Sequence, residues 1–383
     1  MSLALGPLSR LRLPSLVLGA VLALSFIVTP TQPSSAPEAR LLSASSVQVG
    51  TSFSPWRAEN LGLDYRAAFA ELLAMHFRVI RVAVRWDQVE ASGYDQPDLL
   101  LRMAEAAHQP VVLEVGMKSL GWPEFYLPPG LPSTPDGGDV GASHAVRAEV
   151  VAYVRQTVLR YRASPSLVAW QVENEPFNPA GPHHWYIDQE TVKAEMNAVR
   201  ALDPRPLEVN AFTHFNLLLD RASTGGGLSP ASFLGFDAPY AETEALGVEH
   251  RGDVLGLDVY THIGYDVLGQ RGVTTADPDW AESAGRWAAK ARDQRKLAWV
   301  MEAQAEPWEA SPSTNAHPQS LRPTDIKANV DALKAAGFNT VVLWGSEYWL
   351  SREQAGDPTW VRAVDQVLTE QRAAPALTRG HGL

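Results

Sequence analysis

The chain has 383 residues, 45% of them hydrophobic and 20% charged, a balance that fits a folded globular protein and excludes a disordered one. Its formal net charge of -11 argues against a nucleic-acid partner, which needs a basic surface to hold phosphates. There is no cysteine, so disulfides, thiol catalysis, iron–sulfur ligation and lipid attachment through sulfur are excluded.

The amino-terminal segment has the layout of an export signal. Arg10 and Arg12 precede an apolar run from Leu13 to Val28, and a polar, proline- and serine-rich stretch follows from Thr29 to Pro37. The run is short for a spanning helix, which takes about 20 residues. No small-residue cleavage site directly follows it, and the sites near Ser43 to Ser45 lie well downstream. Residues 1–45 are therefore expected to be a signal peptide or membrane anchor plus linker, which implies a secreted or outer-face location and possible membrane association. Residues 373–383 are expected to be a disordered tail.

From Val47 onward short apolar runs alternate with amphipathic stretches, the pattern of βα units around a parallel sheet. Eight strands are predicted: Gln48 to Phe53, Arg78 to Val84, Pro110 to Val115, Leu167 to Val172, Pro206 to Ala211, Val254 to Tyr260, Leu297 to Met301 and Thr340 to Trp344. Most are rich in Val, Ile and Leu, as strands covered on both faces should be. Helical spacing of apolar residues predicts helices over Tyr65 to Met75, Pro97 to Ala107, Ser143 to Tyr161, Gln189 to Leu202, Trp280 to Gln294, Asp325 to Ala336 and Trp360 to Gln371. Asp188 and Thr324 stand at expected N-caps, and Gly337 where a C-cap glycine belongs. Between Asn216 and Arg251 the sequence is mostly Gly, Pro and Ala, which predicts a short or irregular fifth crossover. The expected fold is a single (β/α)8 barrel over residues 46–372. A doubly wound open sheet would want a glycine-rich phosphate turn, and Gly50-Thr51-Ser52-Phe53 is not one.

Active groups of such barrels lie at the carboxyl ends of the strands. The fourth strand runs into Glu173-Asn174-Glu175-Pro176, and the seventh into Glu302-Ala303-Gln304-Ala305-Glu306. A carboxylate near a barrel interior is costly unless paired, so acids here call for a purpose. Strands four and seven face each other across the barrel mouth, where two acids can meet. Cleavage of a glycosidic bond needs one acid protonated and one ionised.

Asn174-Glu175-Pro176 with a lone Glu ending strand seven resembles the pattern of glycoside hydrolase clan A. Arg81-Val82-Ala83-Val84-Arg85-Trp86 resembles the second strand of the family 5 cellulases and mannanases. Asp258-Val259-Tyr260 and Leu343-Trp344-Gly345 fit the same pattern. Trp299-Val300-Met301-Glu302-Ala303-Gln304 is similar to the nucleophile strand of the family 42 β-galactosidases. The resemblance runs over most of the chain from Val47 to Gln371. It implies a retaining glycoside hydrolase acting on a β-linked glycoside, with a carbohydrate partner and neither cofactor nor metal. Glu175 matches the acid/base and Glu302 the nucleophile. Asn174 matches the residue that binds the sugar 2-hydroxyl. Arg81 and Tyr260 match groups that hold the nucleophile ionised and oriented, and Trp344 matches the platform under the reacting sugar.

The sequence departs from family 5 on strand three, which ends Val115-Gly116-Met117-Lys118 where that family often has a His. His214, His262 and Trp86 are further candidates to line the cleft. Glu173 and Glu306 are alternative working carboxylates, and any one of Trp122, Trp308 and Trp349 is as readily packing as platform. The His183-His184 pair sits in a Pro/Gly loop and is expected to be solvated. A transglycosylase would use the same residues, and a non-catalytic sugar-binding barrel would lack one of the two acids. The loops from Lys118 to Gly141 and from Asn216 to Arg251 are expected to shape the subsites.

Overall fold

Eight parallel strands close into a ring in the computed structural model, which describes residues 47–131, 135, 137–216, 241–267, 269–309 and 318–373. They are β1 (Gln48–Phe53), β2 (Ile80–Ala83), β3 (Val111–Val115), β4 (Leu167–Val172), β5 (Leu207–Thr213), β6 (Val254–Val259), β7 (Leu297–Gln304) and β8 (Thr340–Trp344). Each pairs with the next in sequence, and β8 pairs back onto β1 through Gln48 and Thr340. The expected (β/α)8 barrel is the observed fold. The described residues all fall in one compact unit, assigned as Ala36–Leu383; a second unit, Met1–Ser35, lies outside them, as do the predicted leader and the tail from residue 374. Among the described residues no helix is long and apolar enough to cross a membrane.

The helices are α1 (Pro55–Asn60), α2 (Tyr65–Ala74), α3 (Trp86–Ser92), α4 (Asp95–Ala106), α5 (His144–Tyr161), α6 (Gln189–Arg200), α7 (Ala241–Val248), α8 (Trp280–Asp293), α9 (Pro323–Ala335), α10 (Ser346–Gln354) and α11 (Thr359–Ala373). Asp188 caps α6 as expected, its carboxylate accepting from the Thr191 N–H at 2.8 Å. Thr324 is not a cap. The helix starts one residue earlier on Pro323, whose fixed φ suits the first turn, and the Arg322 N–H donates back to Asp325 at 2.8 Å. Gly337 follows α9 at φ 96°, the left-handed position that ends a helix. The short helices α1, α3 and α10 went unpredicted because six to nine residues carry too little periodicity. The fifth crossover contains α7, only eight residues long, while 217–240 lie outside the described residues. A hairpin of His262–Val267 and Gln270–Thr275, also unpredicted, follows β6.

Packing explains the strand composition. On β2, Ile80 and Val82 join the main apolar cluster with Phe69 and Leu72 of α2, while Arg81 between them points inside the ring. A second cluster built almost wholly from strand residues, including Val112, Val168, Trp299, Met301 and Val342, plugs the barrel. Above that plug the interior turns polar, with Arg81, Glu114, Gln171, Glu208, Asn210 and Asp258 all buried. Branched apolar side chains usually fill a barrel of this kind. A polar upper layer stores charge directly beneath the mouth.

Candidate active site

Two local distortions aim the acids. In β7 the register slips beside both neighbours: Val300 faces Leu257 but Glu302 faces Asp258, leaving Met301 as the extra residue. Such a bulge bends the strand and turns the next side chain, here Glu302, toward the mouth. At the end of β4, Glu173 and Glu175 both take left-handed backbone, φ 64° and 45°. Non-glycine residues held there cost on the order of 1–3 kcal/mol each and cluster at functional sites. Hydrogen bonds offset that strain. The Glu175 N–H donates to Asn210 Oδ1 at 2.7 Å, and the Asn174 N–H to the Lys118 carbonyl at 3.0 Å.

Glu302 is gripped on both oxygens. Arg81 Nη1 donates to Oε1 at 2.7 Å, and the Tyr260 hydroxyl donates to Oε2 at 2.5 Å. Burial, reinforced by the charges of Glu302 and Glu175, raises the Tyr260 phenol well above its usual value, so it remains a donor. Arg81 is fully buried and also donates to Gln171 Oε1 and Asn174 Oδ1, each at 2.5 Å. Burial works against its charge, but Glu302, Asp258, Glu114 and Glu208 outweigh that and hold the guanidinium protonated.

Glu175, Asp258 and Glu302 each bring a carboxylate oxygen within 4.8 Å of the other two. Burial pushes the Glu175 carboxyl up to about 7, with Lys118 opposing the shift and Glu302 and Glu124 adding to it. Asp258 is raised well above the usual range by burial, then by Glu302 and Glu175. Among the described residues this trio is the one grouping whose spacing suits a cation. Arg81 and Tyr260 already serve both oxygens of Glu302, and Asn210 Nδ2 donates to Asp258 Oδ2 at 2.5 Å. That donor set suits acids sharing protons rather than a metal.

Glu175 and Glu302 open onto a cavity of about 340 Å³, within the range of small-molecule sites, while Asp258 stays buried behind them. Asn174, Glu175, Tyr260, Glu302 and Trp344 line it with Arg57, Gly121, Trp122, Glu124 and the Glu306–Glu309 segment. Trp344 donates through Nε1 to Glu306 Oε1 at 2.9 Å, and the Arg57 guanidinium lies 4.5 Å from the centroid of its ring. Glu306 and Glu347 fix Arg57 in turn, at 2.7 and 3.2 Å. Trp122 at the rim is 66% exposed, and Trp308 meets Tyr260 edge-on at 4.8 Å between centroids.

Of the predicted site residues, six gather here: Glu175, Glu302, Asn174, Arg81 (behind Glu302), Tyr260 and Trp344. Three do not. Trp86 is buried at the start of α3, stacked on Tyr153 with centroids 5.4 Å apart, because the chain turns into a helix at that residue. His214 is buried with both ring nitrogens engaged, by the Tyr260 carbonyl and Thr274 Oγ1. His262 pairs with Thr261 Oγ1 at 2.9 Å as the hairpin begins, and burial lowers its pKa. The rival acids are otherwise occupied. Glu173 accepts the Met117 and Lys118 N–H groups at 2.8 and 2.6 Å, and Glu306 holds Arg57. Trp349 is core, donating to the Ala305 carbonyl, and His183 and His184 are exposed. The loop after β3 lines the cavity through Gly121, Trp122 and Glu124, as expected for the Lys118 to Gly141 stretch. Most of the Asn216 to Arg251 stretch lies outside the described residues.

Asn210, Asp258, Lys118 and Arg57 were not singled out as site residues. Asn210 and Asp258 had a signal, each a polar residue inside an apolar strand. Arg57 had none, since its partners come from 249 and 290 positions away.

No protein-family model matches this sequence, and no curated protein does. Solved structures do. GH5_18 from Streptomyces cattleya in complex with GlcNAc matches at 16% identity and a TM-score of 0.59, over 87% of this chain and 82% of that one. The exo-β-1,4-mannosidase Op5Man5 from an Opitutaceae bacterium matches at 18% and 0.51, over 86% and 60%. The β-galactosidase from Rahnella sp. R3 matches at 14% and 0.54, over 86% and 56%. At these identities the likeness is one of fold, and the barrel is shared with clan A glycoside hydrolases.

Proposed function

We propose that this protein is a retaining glycoside hydrolase acting on a β-linked glycoside, with Glu175 as acid/base and Glu302 as nucleophile. The observation that carries the reading is the meeting of these two carboxyls within 4.8 Å at their nearest oxygens. Retaining enzymes hold the pair about 5–5.5 Å apart, whereas inverting ones leave about 6.5–9.5 Å for a water. The fold neighbours, an exo-β-1,4-mannosidase and a β-galactosidase among them, favour the same chemistry.

In the first step Glu302 Oε attacks the anomeric carbon as the exocyclic C–O bond breaks, and Glu175 gives its proton to the departing oxygen. In the second, Glu175, now a carboxylate, takes a proton from water as that water displaces Glu302. Arg81 and Tyr260 orient Glu302 for in-line attack. Asn174 Oδ1 already accepts from Arg81 and Asn210, which leaves its amide N–H free to donate to the sugar 2-hydroxyl. Trp344 offers an indole face to the C–H side of the sugar. With its carboxyl pushed up to about 7, Glu175 is protonated below that pH and lost as an acid above it, so activity falls on the alkaline side.

The test is a screen of nitrophenyl β-glycosides and of β-glucan and mannan polymers on wild type, Glu175→Ala and Glu302→Ala. Glu302→Ala is expected to lose nearly all turnover. Glu175→Ala should lose about 10²–10⁴-fold on poor leaving groups, with azide restoring part of the rate on activated ones and giving a β-glycosyl azide. Full activity in either variant refutes the assignment. Export remains part of the proposal on the strength of the Arg10 to Val28 segment; a soluble cytoplasmic pool of the full chain on fractionation would reject it.

A further inference from the structure

Lys118 stands three residues beyond β3, and its surroundings are unusual for a lysine. The side chain is fully buried, yet its Nζ faces the acid/base segment rather than solvent. It donates to the Glu175 carbonyl at 2.8 Å and to the Asn178 carbonyl at 3.1 Å, and lies 3.8 Å from Glu175 Oε2 and 3.2 Å from Glu124 Oε2. The backbone of the same residue is tied to that segment too. Its N–H donates to the Glu173 carboxylate at 2.6 Å, and its carbonyl accepts from the Asn174 N–H at 3.0 Å. One residue thus touches Glu173, Asn174, Glu175 and Asn178 in turn.

We infer that Lys118 is a positioning residue for Glu175, holding its left-handed turn in place and, together with Glu124, setting the charge that its carboxyl faces. The inference rests on the reading of Glu175 as acid/base. Buried ammonium groups are costly unless paired, and this one sits between the carboxyls of Glu124 and Glu175. The charged and titratable groups facing Glu175 are Lys118 and Glu124 from the loop after β3, Asp258 from β6, Tyr260 just beyond it, and Glu302 from β7. Lys118 is the only cation in that set. Removing it strips a cation that favours the charged form of Glu175, while removing Glu124 strips an anion that opposes it. The raised carboxyl of Glu175, with Lys118 opposing the shift and Glu124 adding to it, agrees in sign.

The experiment compares pH profiles of kcat/KM for wild type, Lys118→Met, Glu124→Gln and Glu175→Gln on a β-glycoside with a poor leaving group. In Lys118→Met the alkaline limb is expected to move to higher pH by about one unit or more, since an opposite charge within a few ångströms shifts a carboxyl by about 1–3 units. In Glu124→Gln it should move lower. A purely structural defect would not move the two limbs in opposite directions. Lys118→Met should also slow poor leaving groups far more than a dinitrophenyl one, which departs without a proton. An alkaline limb that stays in place in folded Lys118→Met, or in Glu124→Gln, overturns the inference. Should Lys118→Met not fold, Glu124→Gln decides alone. A limb that persists unchanged in Glu175→Gln instead fells the acid/base assignment, and the inference with it. A limb abolished by Glu175→Gln but unmoved by the other two variants refutes only the inference.

Discussion

Replacing Arg81 by Met removes the buried counter-charge of Glu302 while keeping an unbranched side chain of similar reach. Arg81 and Glu302 are 0% and 5% exposed at their side chains and pair at 2.7 Å, so the pair is largely shielded from solvent. Breaking such a pair from one side costs about 3–5 kcal/mol, because the remaining charge stays buried. An unfolding entropy of about 2.1 cal/mol/K per residue gives a barrel of this size about 0.7 kcal/mol/K, so Tm should fall by about 4–7 °C. Arg81→Lys keeps the charge but loses the fork that spans Glu302, Gln171 and Asn174, and it should recover part of the Tm and little of kcat. Scanning calorimetry at neutral pH with parallel kinetics makes the comparison. A Tm for Arg81→Met within about 1 °C of wild type would refute the view that this guanidinium balances the charge of the barrel mouth.

Two further outcomes follow from the geometry. Glu208 is fully buried with neither oxygen hydrogen-bonded among the described residues, and burial raises its carboxyl well above the usual range. A raised acid favours folding below its unfolded pKa and loses that contribution as pH climbs through the folded value. Glu208→Gln cannot titrate, so its Tm should drop less than wild type between about pH 5 and about pH 9; parallel Tm curves would contradict this. Gly116 has φ 145°, and a Cβ there would lie 2.2 Å from Glu173 Cδ. Gly116→Ala should displace Glu173 and the Glu175 turn, lowering Tm and kcat together. Gly62→Ala, at φ 78° with nothing within 4 Å, should cost only about 1 kcal/mol of backbone strain and leave kcat intact. Equal behaviour of the two would show that the turn is not held by close packing.

Periodicity and residue type already specify the eight strands, most of the helices and the two strand ends that carry Glu175 and Glu302. These are local properties: a run such as Leu167–Val172 is apolar because both its faces are covered, and that shows without any knowledge of its neighbours. Asn174, Arg81, Tyr260 and Trp344 were legible through the resemblance of their strand-end motifs to clan A, and Arg81 also as a charge set between the apolar Ile80 and Val82. Trp86 looked the same in sequence. Only packing distinguishes it, because the chain turns into α3 at that residue and carries the indole onto Tyr153. His214 and His262 likewise depend on an antiparallel hairpin that no apolar run announces.

The rest is decided by contacts between segments distant in the chain. Arg57 meets Glu306 and Glu347 across more than 200 positions, and Asn210 ties Gln171, Asn174 and Glu175 at the end of β4 to Asp258 of β6. The slip in β7 that aims Glu302 arises from pairing with β6 and β8, not from the composition of β7. Hydrogen-bond register and the electrostatics of a shared low-dielectric interior are properties of the assembled ring. A linear pattern records what each segment prefers; the closing of the barrel settles which charges must face one another.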